Sequence, residues 1–215
     1  MVTPAPAALV AAVEGRSLRG SGERLVAGAG GIAIFAGGPK GPSRTVGYND
    51  ATMAAADPEL FREVFGRFAT GVAVITSAAP EGLGGMTANA LCSLSLDPLL
   101  ALVCFDNSAR TLPLVRASGR FGVNVLTAEQ EDLAGMFASK LPEDEKLEGT
   151  PHRFESHVPI LDGALAWAAC NVRELIAGGD HTIAIGEVTA LGLGAGDPLL
   201  WYGGRYRAVT LAPRP

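Results

Sequence analysis

The chain has 215 residues, 48% of them hydrophobic, which is enough apolar material for one core of ordinary domain size. A net charge of −5, a pI near 5.2 and no cluster of Lys or Arg argue against nucleic acid and membrane surfaces as partners, which leaves small molecules. Cys92, Cys104 and Cys170 sit in apolar runs without CxxC or Cys/His spacing, so neither a disulfide framework nor a metal site is expected, and a reducing cytoplasm fits.

Residues 1 to 56 hold 13 Ala and 10 Gly, so few side chains there can build a core, and a low-complexity, disordered extension is expected. Within it, Leu9 to Val13 suggest a helical turn or two and Gly30 to Ala36 a short strand. Its glycines form no dinucleotide fingerprint, because no strand, helix and acid are spaced to complete one. Glu14, Arg16, Arg19, Glu23 and Arg24 follow the Ala-rich opening without a cleavage pattern, so no signal peptide is expected. No apolar run reaches the roughly 18 residues of a membrane span. Met53 is a candidate natural start, which would make residues 1 to 52 an over-extended reading frame and residues 57 to 215 the folded domain.

Asp57-Pro58-Glu59 opens a helix with an N-cap acceptor, a proline at the first helical position and an acid at the positive end of the dipole. Leu60, Phe61, Val64, Phe65 and Phe68 then recur at helical spacing. From Gly71 to Ser77 the period becomes strand-like, and Ala78 to Gly84 reads as a hairpin loop. Gly85 to Pro98 reads as one buried strand closed by an Asp97-Pro98 turn, with Thr87, Asn89, Ser93 and Ser95 at two-residue intervals on one face. Leu99 to Phe105 is nearly all apolar, as for a strand covered on both faces. A short helix is expected over residues 109 to 118, stopped by Gly119, then a strand from Phe121 to Leu126 and a helix from Ala128 to Phe137.

The charged segment Lys140 to Gly149 reads as a solvated surface loop, with a substrate lid as the alternative. Ala164 to Leu175, Thr182 to Leu191 and Leu199 to Tyr206 supply three more strands between Gly/Asp turns. Short strands at this spacing with few helices predict a mainly β fold, an antiparallel barrel. Hydrolytic and metal chemistry find no support: there is no Gly-x-Ser-x-Gly, no His-Glu-x-x-His and no phosphate loop with a Lys, and the histidines are His152, His157 and His181 alone.

Seven segments occur in a fixed order: Phe68 to Thr76, Thr87-Ala88-Asn89, Ser93 to Pro98, Ser108-Ala109-Arg110-Thr111, Ser118 to Leu126, Gly179-Asp180-His181-Thr182 and Pro198 to Tyr206. In this order the chain resembles, over roughly residues 57 to 210, the short-chain flavin reductase family, the reductase partners of two-component flavin-dependent monooxygenases. The resemblance implies a six-stranded FMN-binding split barrel that pairs as a homodimer. It also implies reduction of FMN or FAD by hydride transfer from NADH or NADPH, with reduced flavin passing to a partner monooxygenase. Such chemistry asks little of the protein, because the cofactor supplies the reactivity and the chain supplies orientation and hydrogen bonds.

By the same resemblance, Met86, Thr87, Ala88 and Asn89 line the flavin ring and ribityl chain, and Cys92, Ser93 and Ser95 take the ribityl and phosphate side. Ser108, Arg110 and Thr111 stand at a hydroxyl-rich phosphate element. Arg110 replaces the usual hydroxyl there: it is either a fixed cation on the phosphate or an exposed residue at a helix start. Ala90 and Cys92 stand where Ser and Thr are common. Phe121, Trp167, Trp201, Tyr202 and Tyr206 are core or dimer-contact aromatics by default, with one of them, Phe121, as a candidate flank of the flavin. His181 matches the family's Gly-Asp-His element at the edge of the nicotinamide pocket, and orienting the nicotinamide is its expected role; a structural hydrogen bond is the alternative. Two other functions stay open: a flavoprotein that retains its flavin and acts on another substrate, and a non-enzymatic flavin- or haem-binding protein of the same fold.

Overall fold

Asp57 caps the first helix as its position demands: its carboxylate accepts the amide hydrogens of Glu59 and Leu60, and Pro58 begins α1 (Pro58–Gly66). The computed structural model describes residues 57–209, so the extension expected over residues 1 to 56, with its helical turn, its short strand and Met53, lies outside the described residues. Among the described residues, nothing covers the apolar stripe of α1. Phe65 is 61% exposed, and Phe68, just beyond the helix, 72%.

After α1 come β1 (Thr70–Gly71), β2 (Ala73–Ala79) and β3 (Gly82–Ala88). The expected loop from Ala78 to Gly84 shrinks to Pro80 and Glu81, because the ladder runs out to the Ala79 and Gly82 pair. The stretch from Gly85 to Pro98 is two strands instead of one: the chain leaves β3 at Ala88, steps through Asn89 and Ala90, and starts β4 (Leu91–Leu96). β4 is mostly exposed, and β5 (Leu99–Asp106) buries only Val103 and Phe105 fully, so neither stretch is covered as its apolar content suggested.

The remaining elements are α2 (Thr111–Ser118), β6 (Arg120–Val125), a 3-10 turn leading into α3 (Glu131–Ala138), α4 (Glu143–Glu148), β7 (His152–Glu155), β8 (Val158–Leu161), β9 (Ala166–Gly178), β10 (His181–Leu193), β11 (Leu199–Tyr202) and β12 (Arg205–Ala208). The β7–β8 hairpin was not anticipated. The expected single strand from Leu199 to Tyr206 folds back at Gly203-Gly204, whose φ values of 60° and 76° suit the mirror-image turn of a tight hairpin.

The main sheet has seven antiparallel strands in the order β3-β2-β6-β9-β10-β5-β4, and a smaller sheet runs β1-β11-β12. The chain is therefore mainly β with a few helices, as expected. Six strands were expected where seven form, and the edge strands β3 and β4, neighbours in sequence, are not joined by a ladder. The sheet curls nonetheless, bringing β3 against β5.

β2 is buried on both faces and divides the core. Ile75 packs with Val103, Phe105, Phe121 and Val123, whereas Val74 packs with Leu126, Phe137, Leu147 and Leu199 on the other side. Buried Asn124 ties three strands together: its amide donates to the Val74 carbonyl (3.1 Å) and Thr76 Oγ (3.2 Å) and accepts from the Leu161 amide (2.8 Å).

Candidate functional site

The end of β3 opens into a cavity of about 240 Å³ lined by Val72, Thr87, Ala88, Asn89, Ala138, Trp201 and Tyr206. Thr87, Ala88 and Asn89 were expected to share a site, and they do line one cavity. Thr87 donates its hydroxyl to the Ala134 carbonyl (2.6 Å), and the Asn89 amide donates to Thr70 Oγ (3.2 Å), so both side chains are held in place by other elements. Trp201 and Tyr206, cross-strand partners in the β11–β12 hairpin, meet edge to face with ring centroids 5.0 Å apart and form the aromatic wall. Burial, then the Glu131 charge, raises the Tyr206 phenol, so it stays a neutral donor. Met86, one residue further back on β3, packs on the core.

Along β3 from that cavity lies a group of hydrogen-bond donors. The Gly85 amide, Thr111 Oγ at the start of α2 and Lys146 Nζ on α4 all donate to the Glu143 carboxylate, at 2.8, 2.9 and 2.9 Å, with Arg110 Nε at 3.7 Å. Arg110 also donates to the Leu141 carbonyl. The close approach depends on Gly84: a Cβ there would sit 2.5 Å from Leu114 Cδ1 and 3.0 Å from Glu143 Oε2. The segment from Lys140 to Gly149 is thus no solvated loop. It contains a helix whose Lys146 is 2% exposed and whose Leu147 is fully buried.

Ser108 and His181 meet around Asp106. The Ser108 hydroxyl and amide both donate to Asp106 Oδ1 at 2.7 Å, and these bonds, helped by His181, hold the Asp106 carboxyl below its usual range. His181 faces Asp106 across the β10–β5 ladder, and its Nδ1 lies 2.7 Å from Asp180 Oδ1 with the ring half-exposed.

Four expected residues, Cys92, Ser93, Ser95 and Phe121, do not join these groups. Cys92 and Ser93 lie exposed on β4, at the sheet edge opposite β3, and Ser95 Oγ accepts from the Asp97 amide. Phe121 is a correction: it is fully buried, edge-on to Phe105, and its ring fills the space above Gly186, so it has no surface to give a ligand.

The Flavin reductase like domain family matches residues 65–210. The chain belongs to this family. It is 37% identical over 170 residues to an NADH-dependent flavin reductase of a Rhodococcus species, a match covering 76% of this chain and 95% of that one. It is 39% identical over 160 residues to HsaB, the reductase subunit of a flavin-dependent monooxygenase of Mycobacterium tuberculosis, covering 73% and 84%. The solved NADH:FAD oxidoreductase SgcE6 of Streptomyces globisporus, in complex with NAD and FAD fragments, superposes with a TM-score of 0.67 at 36% identity, covering 74% of this chain and 98% of that one.

The residues of this flavin reductase-like chain suit a flavin on chemical grounds: an aromatic-walled cavity for a flat ring, and close by a donor set of one backbone amide, one hydroxyl and two cations for an anionic group. Glu143 and Lys146 went unrecognised in the sequence as site members, whereas Trp201 and Tyr206 stood among the aromatics read as core or dimer contacts with a flavin flank as the alternative. They flank a Gly-Gly turn, which places them opposite each other in a hairpin.

Proposed function

We infer that the chain is an NAD(P)H-dependent flavin reductase that passes reduced flavin to a separate monooxygenase. The observation that carries this reading is the joining of Thr87, Ala88 and Asn89 with Trp201 and Tyr206 around one cavity, in a chain whose family and relatives are flavin reductases. A bound flavin supplies the hydride-accepting ring. Thr87, Ala88 and Asn89 position the ring edge, Trp201 and Tyr206 keep water from one side, and Gly85, Thr111 and Lys146 hold an anionic end. His181 orients the nicotinamide; its half-exposed ring and anchored Nδ1 leave Nε2 to face a ligand. Ser108 braces Asp106 beside it. Cys92, Ser93 and Ser95 complete the ribityl side only if the β4 edge approaches the flavin, which a partner subunit allows.

The curl of the main sheet supports a split barrel, and the bare apolar stripe of α1, with Leu96 exposed on β4, supports a homodimer. Three free cysteines suit a reducing cytoplasm. The test is steady-state oxidation of NADH and NADPH with added FMN, FAD or riboflavin. Turnover that depends on added flavin supports the reading. Flavin retained through gel filtration, with no turnover of added flavin, would instead favour a flavoprotein acting on another substrate.

A further inference from the structure

Glu143 is placed where an anionic ligand would be held. Its Oε2 takes the Gly85 amide and the Thr111 hydroxyl and its Oε1 takes Lys146, donors that come from β3, α2 and α4, with the Arg110 guanidinium at 3.7 Å. Such a convergence of charge-assisted donors is what a phosphate oxygen cluster uses. Two cations face one carboxylate. A phosphate arriving beside Glu143 would meet its negative charge in a poorly solvated space, whereas a phosphate replacing it would meet both cations unopposed. Lys146 also requires some anion: without Glu143, its one other partner among the described residues is the Phe137 carbonyl at 3.3 Å, and the ammonium is 2% exposed.

We propose that the Glu143 carboxylate is a built-in, displaceable occupant of this donor cradle, and that the phosphate of a flavin enters only as Glu143 swings out. The proposal rests on the flavin reductase reading and adds a competitor to it. α4 is suited to give way. It has six residues, its N-cap Pro142 offers no side-chain bond, and Glu143 is the side chain that ties its first turn to β3 and α2. A helix this short has little stability of its own, so loss of that tie loosens it. Glu143 is 14% exposed and so has a path to solvent. The closed cradle therefore lowers the apparent affinity for phosphorylated flavins and leaves that for riboflavin, which has no phosphate, unaffected.

The experiment compares FMN with riboflavin, by flavin fluorescence, in the wild-type chain and in Glu143→Gln. If the latch is closed about nine-tenths of the time, Glu143→Gln tightens FMN binding about tenfold and leaves riboflavin within about twofold. Inorganic phosphate, set against chloride at equal ionic strength, should raise the melting temperature of Glu143→Gln more than that of the wild type. FMN binding that is unchanged, weaker, or altered in step with riboflavin overturns the proposal. If Glu143→Gln does not fold, hydrogen exchange on the wild-type chain decides: saturating FMN, and not riboflavin, should speed exchange across residues 143 to 148, and unchanged or slower exchange overturns the latch. A chain that binds and reduces neither flavin refutes the flavin reductase reading itself, an outcome distinct from flavin reduction that ignores Glu143.

Discussion

His181→Ala removes a half-exposed ring whose one hydrogen bond among the described residues is to the exposed Asp180, so it opens no cavity and strands no buried group. Kcat/KM for the pyridine nucleotide is expected to fall about tenfold to a hundredfold, the equivalent of roughly 1–3 kcal/mol of lost orientation, with flavin affinity and melting temperature unchanged. Proportionate losses for both ligands, with a lower melting temperature, would make the histidine structural. Asn124 presents the opposite case, since its three hydrogen bonds are all buried. Asn124→Ala leaves the Leu161 amide and the Val74 carbonyl without that partner, at roughly 1–3 kcal/mol for each group left unpaired. Denaturant unfolding should register the loss, and a midpoint within error of the wild type would refute it.

At the scale of elements, capping and periodicity made α1, α2 and α3 legible, because Asp57-Pro58, Gly119 and the apolar spacing of Leu133, Met136 and Phe137 act locally. The break at Asn89 was not legible: residues on either side alternate well enough to continue one strand, and only the pairing of β3 with β2 and of β4 with β5 puts them at opposite edges of the sheet. α4 was hidden for another reason. Glu143 and Lys146 read as solvated charges until tertiary structure supplies the Gly85 amide and Thr111 hydroxyl that allow them to be buried together. Thr87, Ala88 and Asn89, grouped by their motif, do line one cavity, whereas Phe121, an equally good aromatic by sequence, was claimed by the core. The packing of α3 on β3 can be tested at Gly85, where a Cβ would come within 2.7 Å of the Phe137 ring and 3.3 Å of the Ile75 carbonyl. Gly85→Ala should cost about 1–3 kcal/mol through this overpacking, read as a lower melting temperature. A variant as stable as the wild type would mean that α3 and α4 move aside freely.

On the scale of the whole molecule, the proposed homodimer predicts that Phe65→Glu, on the bare face of α1, yields monomers by sedimentation at micromolar concentration while circular dichroism keeps its β signature. A Phe65→Glu chain that still sediments as a dimer would place the interface elsewhere. Among the described residues, every strand and every core cluster lies beyond α1. A chain beginning at Met53 is therefore expected to match the full chain in melting temperature and flavin turnover, and a loss of either would show that residues 1 to 52 contribute. The aromatic wall carries a consequence of its own for how the molecule assembles. Trp201 pairs with Thr70 across most of the domain's length, whereas β2 and β3 close through a two-residue turn. Local ladders form early and distant ones late, because the longer loop must first be closed. A refolding chain should thus regain its β-sheet signal before it can quench flavin fluorescence, and the delay between the two would time the arrival of the β11–β12 hairpin.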